Sequence, residues 1–214
     1  MLDLWCFNLD QSPQKIERYR TLLSPEEVAR ADRYKTELLK HRFITARGML
    51  RETLSQYATI PPQQLLFQTG QYGKPYLVNH SIHFNLSHSG KYGGLIISDE
   101  AVGIDLEVIR DIEVNAISER FFHPDEVLYL KNLSSELQLK QFYRIWTGKE
   151  ASLKAQGYGI THHLNAFSVL QSPVQLPRHH EYWHLHYEEL HPNCALTIAY
   201  ASLNKSIRIK SLAL

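Results

Sequence analysis

Only two cysteines, Cys6 and Cys194, occur in 214 residues. That excludes a disulfide framework and a cysteine-rich zinc site, and it fits a reducing compartment. No stretch approaches the ~20 consecutive apolar residues of a membrane-spanning helix. The start, Leu2-Asp3-Leu4-Trp5-Cys6-Phe7, lacks a basic segment followed by a long apolar run. A cytoplasmic location without membrane association is therefore expected. An excess of one charge is missing too: 23 Lys and Arg meet 22 Asp and Glu, for a net charge of +1. Overall charge thus gives no ground for nucleic-acid binding, and any basic site must be local. There is no G-x-S-x-G nucleophile elbow, and adjacent residues such as Ser87 and His88 do not orient as nucleophile and base, which excludes a hydrolase of that type. His184 and His186 share a strand face, but without a third ligand of suitable spacing they do not make a zinc site.

What remains is an ordinary composition with enough chain for one sizeable core or two small lobes. Alternation over Leu2 to Leu9 predicts a first strand, and a helix follows from about Pro13. Ser24-Pro25-Glu26-Glu27 reads as an N-cap with proline in the first turn. A helix from about Glu37 to Tyr57 ends before Pro61-Pro62. Strands are expected at 65–68, 93–98, 102–109, 167–170, 182–188 and 194–201, with one more short strand after Asn204, and Ile82 to Gly90 runs from a strand into a turn.

Two stretches carry the chemistry. In Val102-Gly103-Ile104-Asp105-Leu106-Glu107-Val108-Ile109, strict alternation turns Ile104, Leu106 and Val108 inward and Asp105 and Glu107 outward together. Two carboxylates at i,i+2 repel, and a hard divalent cation such as Mg²⁺ relieves that repulsion; a solvated acidic edge strand is the alternative. In Ile145-Trp146-Thr147-Gly148-Lys149-Glu150-Ala151-Ser152-Leu153-Lys154, read as a helix, Glu150 and Lys154 stand one turn apart beside an apolar stripe of Phe142, Ile145 and Leu153. Lys149 falls within that stripe, so it must snorkel or meet a buried acid, and it is assigned to structure.

The helix before Pro61 carries Arg42, Arg47 and Arg51 near one side, a basic face that pairs either with an anion or with nearby acids such as Glu37 and Glu52. Lys74 sits in a stiff turn between Gly73 and Pro75, placed to meet a phosphate or to be solvated. Ser87 and His88, in a turn rich in small hydrogen-bonding side chains, could hold phosphate oxygens.

A long helix followed by strands recurs with a lag of about a hundred residues, which predicts two similar α+β lobes, residues 1–101 and 102–214. Between them a cleft would bring Asp105, Glu107 and Glu150 from one side against Lys74, Ser87 and His88 from the other.

Taken in order, Gly73-Lys74-Pro75, Phe84-Asn85-Leu86-Ser87-His88-Ser89, Gly103-Ile104-Asp105-Leu106-Glu107 and Trp146-Thr147-Gly148-Lys149-Glu150-Ala151-Ser152-Leu153-Lys154 resemble the signature of the 4'-phosphopantetheinyl transferases of the Sfp type. The resemblance implies two α+β lobes related by a pseudo-twofold axis within a monomer, with coenzyme A in the cleft and Mg²⁺ on its pyrophosphate. It also implies transfer of the phosphopantetheine arm to a serine of an apo acyl or peptidyl carrier protein, with release of adenosine 3',5'-bisphosphate. By motif position, Asp105, Glu107 and Glu150 are the expected metal ligands and Lys154 the contact to the leaving phosphate. Lys74, Ser87 and His88 are the expected phosphate grip, with Arg30, Arg42 and Arg47 near the 3'-phosphate. Glu27 departs from the pattern, standing where some relatives carry a lysine. Attack by serine needs a base, for which Glu150 is the candidate, directly or through a water. An Mg²⁺-dependent nuclease or pyrophosphatase could use the same carboxylates, and a non-catalytic module binding coenzyme A or a carrier protein is the third possibility.

Overall fold

The computed structural model describes residues 2–158, 164–177, 180–203 and 205–212. It is an α+β chain whose element order runs twice. The first pass is β1 (Leu2–Asn8), α1 (Pro13–Arg20), α2 (Pro25–Ala31), α3 (Glu37–Ala58), β2 (Phe67–Thr69), β3 (Pro75–Leu77), β4 (His83–Ser89) and β5 (Tyr92–Ser98). The second is β6 (Val102–Val108), α4 (Val114–Phe121), α5 (Pro124–Lys131), α6 (Ser135–Gln156), β7 (Val174–Gln175), β8 (Tyr182–His191), β9 (Cys194–Tyr200) and β10 (Ile207–Leu212). The long helices α3 and α6 are both 22 residues.

Two four-stranded sheets, ordered β10-β1-β5-β4 and β6-β9-β8-β7, form the centre, and β2-β3 is a separate hairpin. Alternating residues Leu2, Leu4 and Cys6 of β1 meet Val102, Ile104 and Leu106 of β6 and Leu196 and Ile198 of β9 in a core between the sheets. Opposite faces carry the helices: Ile44, Leu50 and Leu54 of α3 pack with Phe7, Phe84 and Ile97, while Phe142, Ile145 and Leu153 of α6 pack with Trp183 and Ala199. The layers therefore run helix, sheet, sheet, helix. β10 pairs in parallel with β1, so residues 207–212, assigned by sequence to the second lobe, complete the sheet of the first.

The repeat extends to one buried device. In α2, Ser24 and Glu27 form a capping box, and Glu27 also takes the Arg51 Nε at 2.6 Å. Arg51 then donates to the carbonyls of Pro62 and Leu65. In α5, His123 and Glu126 form the matching box, Glu126 takes the Lys149 Nζ at 2.7 Å, and Lys149 donates to the carbonyls of Leu164 and Phe167. Each lobe thus ties its second helix to its long helix and to the chain beyond through one acid and one base. This is the buried acid that Lys149 requires, and it gives Glu27 a structural task that a lysine would not perform.

Three expectations change for physical reasons. The strand expected at 167–170 is absent, because Glu126 accepts the Val169 N–H at 2.8 Å and Lys149 takes the Phe167 carbonyl, so side chains use the groups a strand partner would need. The strand expected at 65–68 lies at Phe67–Thr69, since the Leu65 carbonyl is held by Arg51. In β6 the face bearing Asp105 and Glu107 does not point to solvent: α6 covers it, and Asp105 is 3% exposed. Asn204 lies outside the described residues, and the short strand expected beyond it is β10.

Candidate active site

Close approach of α6 to β6 builds the site. At Gly103 an added methyl group would stand 2.1 Å from the Ala151 carbonyl oxygen and 2.4 Å from the Ala155 nitrogen, so only glycine lets the helix lie against the strand there. Two residues along β6, Asp105 comes under the helix beside Glu150 and Lys154. Together with Leu86, Ser87, His88, Glu107 and Trp146 they line a cavity of about 290 Å³. Of the expected residues, the structure brings Asp105, Glu107, Glu150, Lys154, Ser87 and His88 to one place.

Lys154 Nζ donates to Asp105 Oδ1 at 2.6 Å and to Ser87 Oγ at 3.2 Å, and Ser87 Oγ donates to the same Asp105 oxygen at 3.0 Å. One side of Asp105 is therefore satisfied. Its Oδ2 and both oxygens of Glu150 are buried without a hydrogen-bond partner. Burial, with the Asp105 charge beside it and Glu107 further off, pushes the Glu150 carboxyl up to about 7 against the pull of Lys154. Glu107 is also raised, chiefly by burial, although a hydrogen bond from Ser89 opposes the shift.

This shift has a measurable consequence. Because the folded-state value lies above the ordinary 4.5, the folded protein holds a proton that the unfolded chain releases, so stability declines as pH rises from about 4.5 to about 7. Above that window the full cost, on the order of 3 kcal/mol, is present. Thermal unfolding between about pH 4.5 and about pH 8 without divalent ions should show this decline, and Glu150→Gln should flatten it. An equally steep decline in the variant would assign the effect elsewhere.

Three clustered carboxylates, two of them with orphaned oxygens, fit a hard divalent cation by donor type and by need for charge. Among the described residues, no group of three His, Cys, Asp or Glu side chains is already drawn together at ligand spacing. Asp105, Glu107 and Glu150 are the residues that would hold such an ion, and Lys154 occupies the Asp105 oxygen that faces it.

The remaining expected contacts divide. Ser87 is fully engaged, since its hydroxyl also accepts the Leu106 N–H at 3.3 Å. His88 stands exposed at the cavity mouth, its imidazole held below the usual range by loss of solvent on one side and by the Lys154 charge. Lys74 does not line the cavity: its Nζ donates to the carbonyls of Val102 and Ala155 at 2.9 and 3.2 Å, joining the first lobe to β6 and to the end of α6. Burial brings its ammonium down to about 8. Arg42 pairs with Asp10 at 2.7 Å, and Arg47 is bonded to Glu27 through Nε at 2.7 Å. The basic face of α3 thus answers to acids other than Glu37 and Glu52. Arg30 lies over the Phe43 ring, 5.2 Å from its centroid.

Sequence reasoning gave no role to Trp146, which lines the cavity one turn before Glu150, or to Ser89, which donates to Glu107 Oε2 at 2.7 Å. A signal for Ser89 was present: Asn85, Ser87 and Ser89 alternate at i, i+2 and i+4, placing three polar side chains on one strand face.

Two family descriptions match the chain, the 4'-phosphopantetheinyl transferase superfamily over residues 101–201 and a 4'-phosphopantetheinyl transferase N-terminal family over residues 10–100. A Synechocystis protein named provisionally as a 4'-phosphopantetheinyl transferase is 44% identical over 70% of this chain, which spans 63% of that relative's length. The 4'-phosphopantetheinyl transferase gsp of Aneurinibacillus migulanus is 33% identical over 76% of this chain and 70% of its own. The 4'-phosphopantetheinyl transferase Sfp of Bacillus subtilis is 28% identical over 89% of this chain and 87% of its own.

Proposed function

Because the chain belongs to the Sfp-type 4'-phosphopantetheinyl transferases, we propose that it moves the phosphopantetheine arm of coenzyme A onto a serine of an apo acyl or peptidyl carrier protein, with Mg²⁺ as its ion. The observation that carries the reading is the cavity lined by Asp105, Glu107 and Glu150, with orphaned oxygens on Asp105 and Glu150 and with Lys154 bonded to Asp105. An ion held by the three carboxylates would neutralise charge on the pyrophosphate of coenzyme A.

The residues of the chain supply the rest. Glu150, buried beside Asp105 with both oxygens free of other hydrogen-bond partners, is placed to take the serine proton, directly or through a water. The serine oxygen bonds to the phosphorus that bears the pantetheine arm, and the bond from that phosphorus to the oxygen of the nucleotide's 5'-phosphate breaks. Adenosine 3',5'-bisphosphate leaves, and Lys154 places its ammonium against the charge that develops there. Ser87 holds Lys154 and Asp105 in register.

His88, at the mouth, can donate a ring N–H to the phosphates that remain outside, and the resemblance keeps Arg30 as a candidate for the 3'-phosphate. Arg42 can exchange its exposed carboxylate partner Asp10 for a phosphate dianion, which offers more charge in a similar bidentate geometry. Arg47 and Lys74 are engaged by Glu27 and by backbone carbonyls, and we assign them to holding the fold. His88→Ala should therefore raise KM for coenzyme A by roughly tenfold or more, the worth of a hydrogen bond to a charged group. If the 3'-phosphate is the target, the variant should use 3'-dephospho-coenzyme A nearly as well as coenzyme A. A variant that discriminates as strongly as the parent would remove His88 from that role.

Product analysis tests the reading as a whole. Chromatography of coenzyme A incubated with enzyme and Mg²⁺ should show adenosine 3',5'-bisphosphate only when an apo carrier protein is present. Release without a carrier would indicate a nuclease or pyrophosphatase instead.

A further inference from the structure

Among the described residues, the edge of β6 that faces away from β9 has no strand paired to it through the backbone, yet its N–H groups are not left open. Three side chains of β4 take them in sequence: Asn85 Oδ1 accepts from Ile104 at 2.8 Å, Ser87 Oγ from Leu106 at 3.3 Å and Ser89 Oγ from Val108 at 3.1 Å. The alternation of β4 thus matches the alternation of outward N–H groups on β6, and the two sheets are joined along a seam of side chains. Both serines do more than the asparagine. A serine has one proton to give, and Ser89 gives it to Glu107 Oε2 at 2.7 Å, while Ser87 gives its own to Asp105. The bond from Val108 fixes the Ser89 oxygen, so the direction of its proton is set by the backbone of the strand that carries Glu107.

We propose that Ser89 is a positioning residue, whose hydroxyl aims the Glu107 carboxylate into the cavity and holds it ready for a divalent ion. The inference rests on the reading of Glu107 as an ion ligand. Glutamate has a long flexible side chain, Glu107 is only partly buried, and groups that hydrogen-bond a ligating carboxylate tune affinity from outside the ligand set. Ser87 cannot be tested as cleanly, because it also carries Lys154.

Direct titration of Mn²⁺ into the full chain, followed by electron paramagnetic resonance in the presence of coenzyme A and without carrier protein, separates the roles. Ser89→Ala should weaken Mn²⁺ binding roughly tenfold or more. Ser89→Thr, which keeps the hydroxyl on a residue suited to a strand, should bind near the parent. Asn85→Ala breaks a bond of the same seam but touches no carboxylate, so it should lower the thermal midpoint and leave Mn²⁺ affinity unchanged. The inference is overturned if Ser89→Ala binds like the parent, or if Asn85→Ala weakens binding as much, since the seam alone would then account for the effect. A parent that binds no Mn²⁺ would overturn the ion reading and this inference together.

Discussion

Glu150→Gln is expected to lower turnover by ~10²–10⁴-fold with KM for coenzyme A nearly kept, the loss that removal of a general base produces. The amide keeps the shape and one oxygen of the carboxylate but cannot accept a proton. In the structure this group is 3% exposed and has both oxygens unpartnered, so an oxygen is available to accept the proton. A group whose only task is to hold an ion behaves differently: weaker Mg²⁺ binding would dominate, and saturating metal would restore much of the rate. Turnover within a few-fold of the parent at saturating Mg²⁺ would therefore withdraw the base assignment. Lys154→Ala supplies the control: it should slow transfer at any Mg²⁺ concentration and, because its charge holds the Glu150 carboxyl down, should move the acidic limb of the pH profile to higher pH if Glu150 is the base.

The second large effect concerns stability. Lys149→Met preserves length and volume in a fully buried site but leaves Glu126, also fully buried, without its counter-charge. A loss of ~3–5 kcal/mol is expected, because the isolated carboxylate must be desolvated unpaired. Glu126→Gln combined with Lys149→Met should recover part of that loss. Neither buried charge remains and the amide oxygen of glutamine can still accept from Val169, but the His123 N–H and the carbonyls of Leu164 and Phe167 lose their side-chain partners. Chemical denaturation of the single and double variants measures both. A single variant within about 1 kcal/mol of the parent would show that the pair carries little, as exposed pairs do.

Much of the site was legible because the chemistry needs residues that stand out at short spacing. Asp105 and Glu107 at i,i+2 and Glu150 and Lys154 at i,i+4 each declare a shared face without knowledge of the fold. The repeat was legible for a similar reason, since α3 and α6 are long helices followed by strands. What stayed hidden depends on contacts between distant segments. Nothing near Lys74 in sequence announces that the carbonyls of Val102 and Ala155 will claim it. The role of Glu27 appears only when Arg51 and the Pro62 carbonyl are brought beside it, and the missing strand at 167–170 only when Glu126 and Lys149 take its backbone groups. Alternation in β6 was read correctly as to period but not as to surroundings. Period reports which side chains share a face, and it is the covering helix that decides whether that face is wet.

Intact-mass spectrometry of an apo carrier protein bears most directly on the transferase reading. Incubated with enzyme, coenzyme A and Mg²⁺, the carrier should gain the mass of one phosphopantetheine arm, and a carrier whose acceptor serine is replaced by alanine should gain nothing. Chelation of the divalent ion should stop the gain. An apo carrier that remains unmodified under these conditions, while coenzyme A is bound or degraded, would contradict the account.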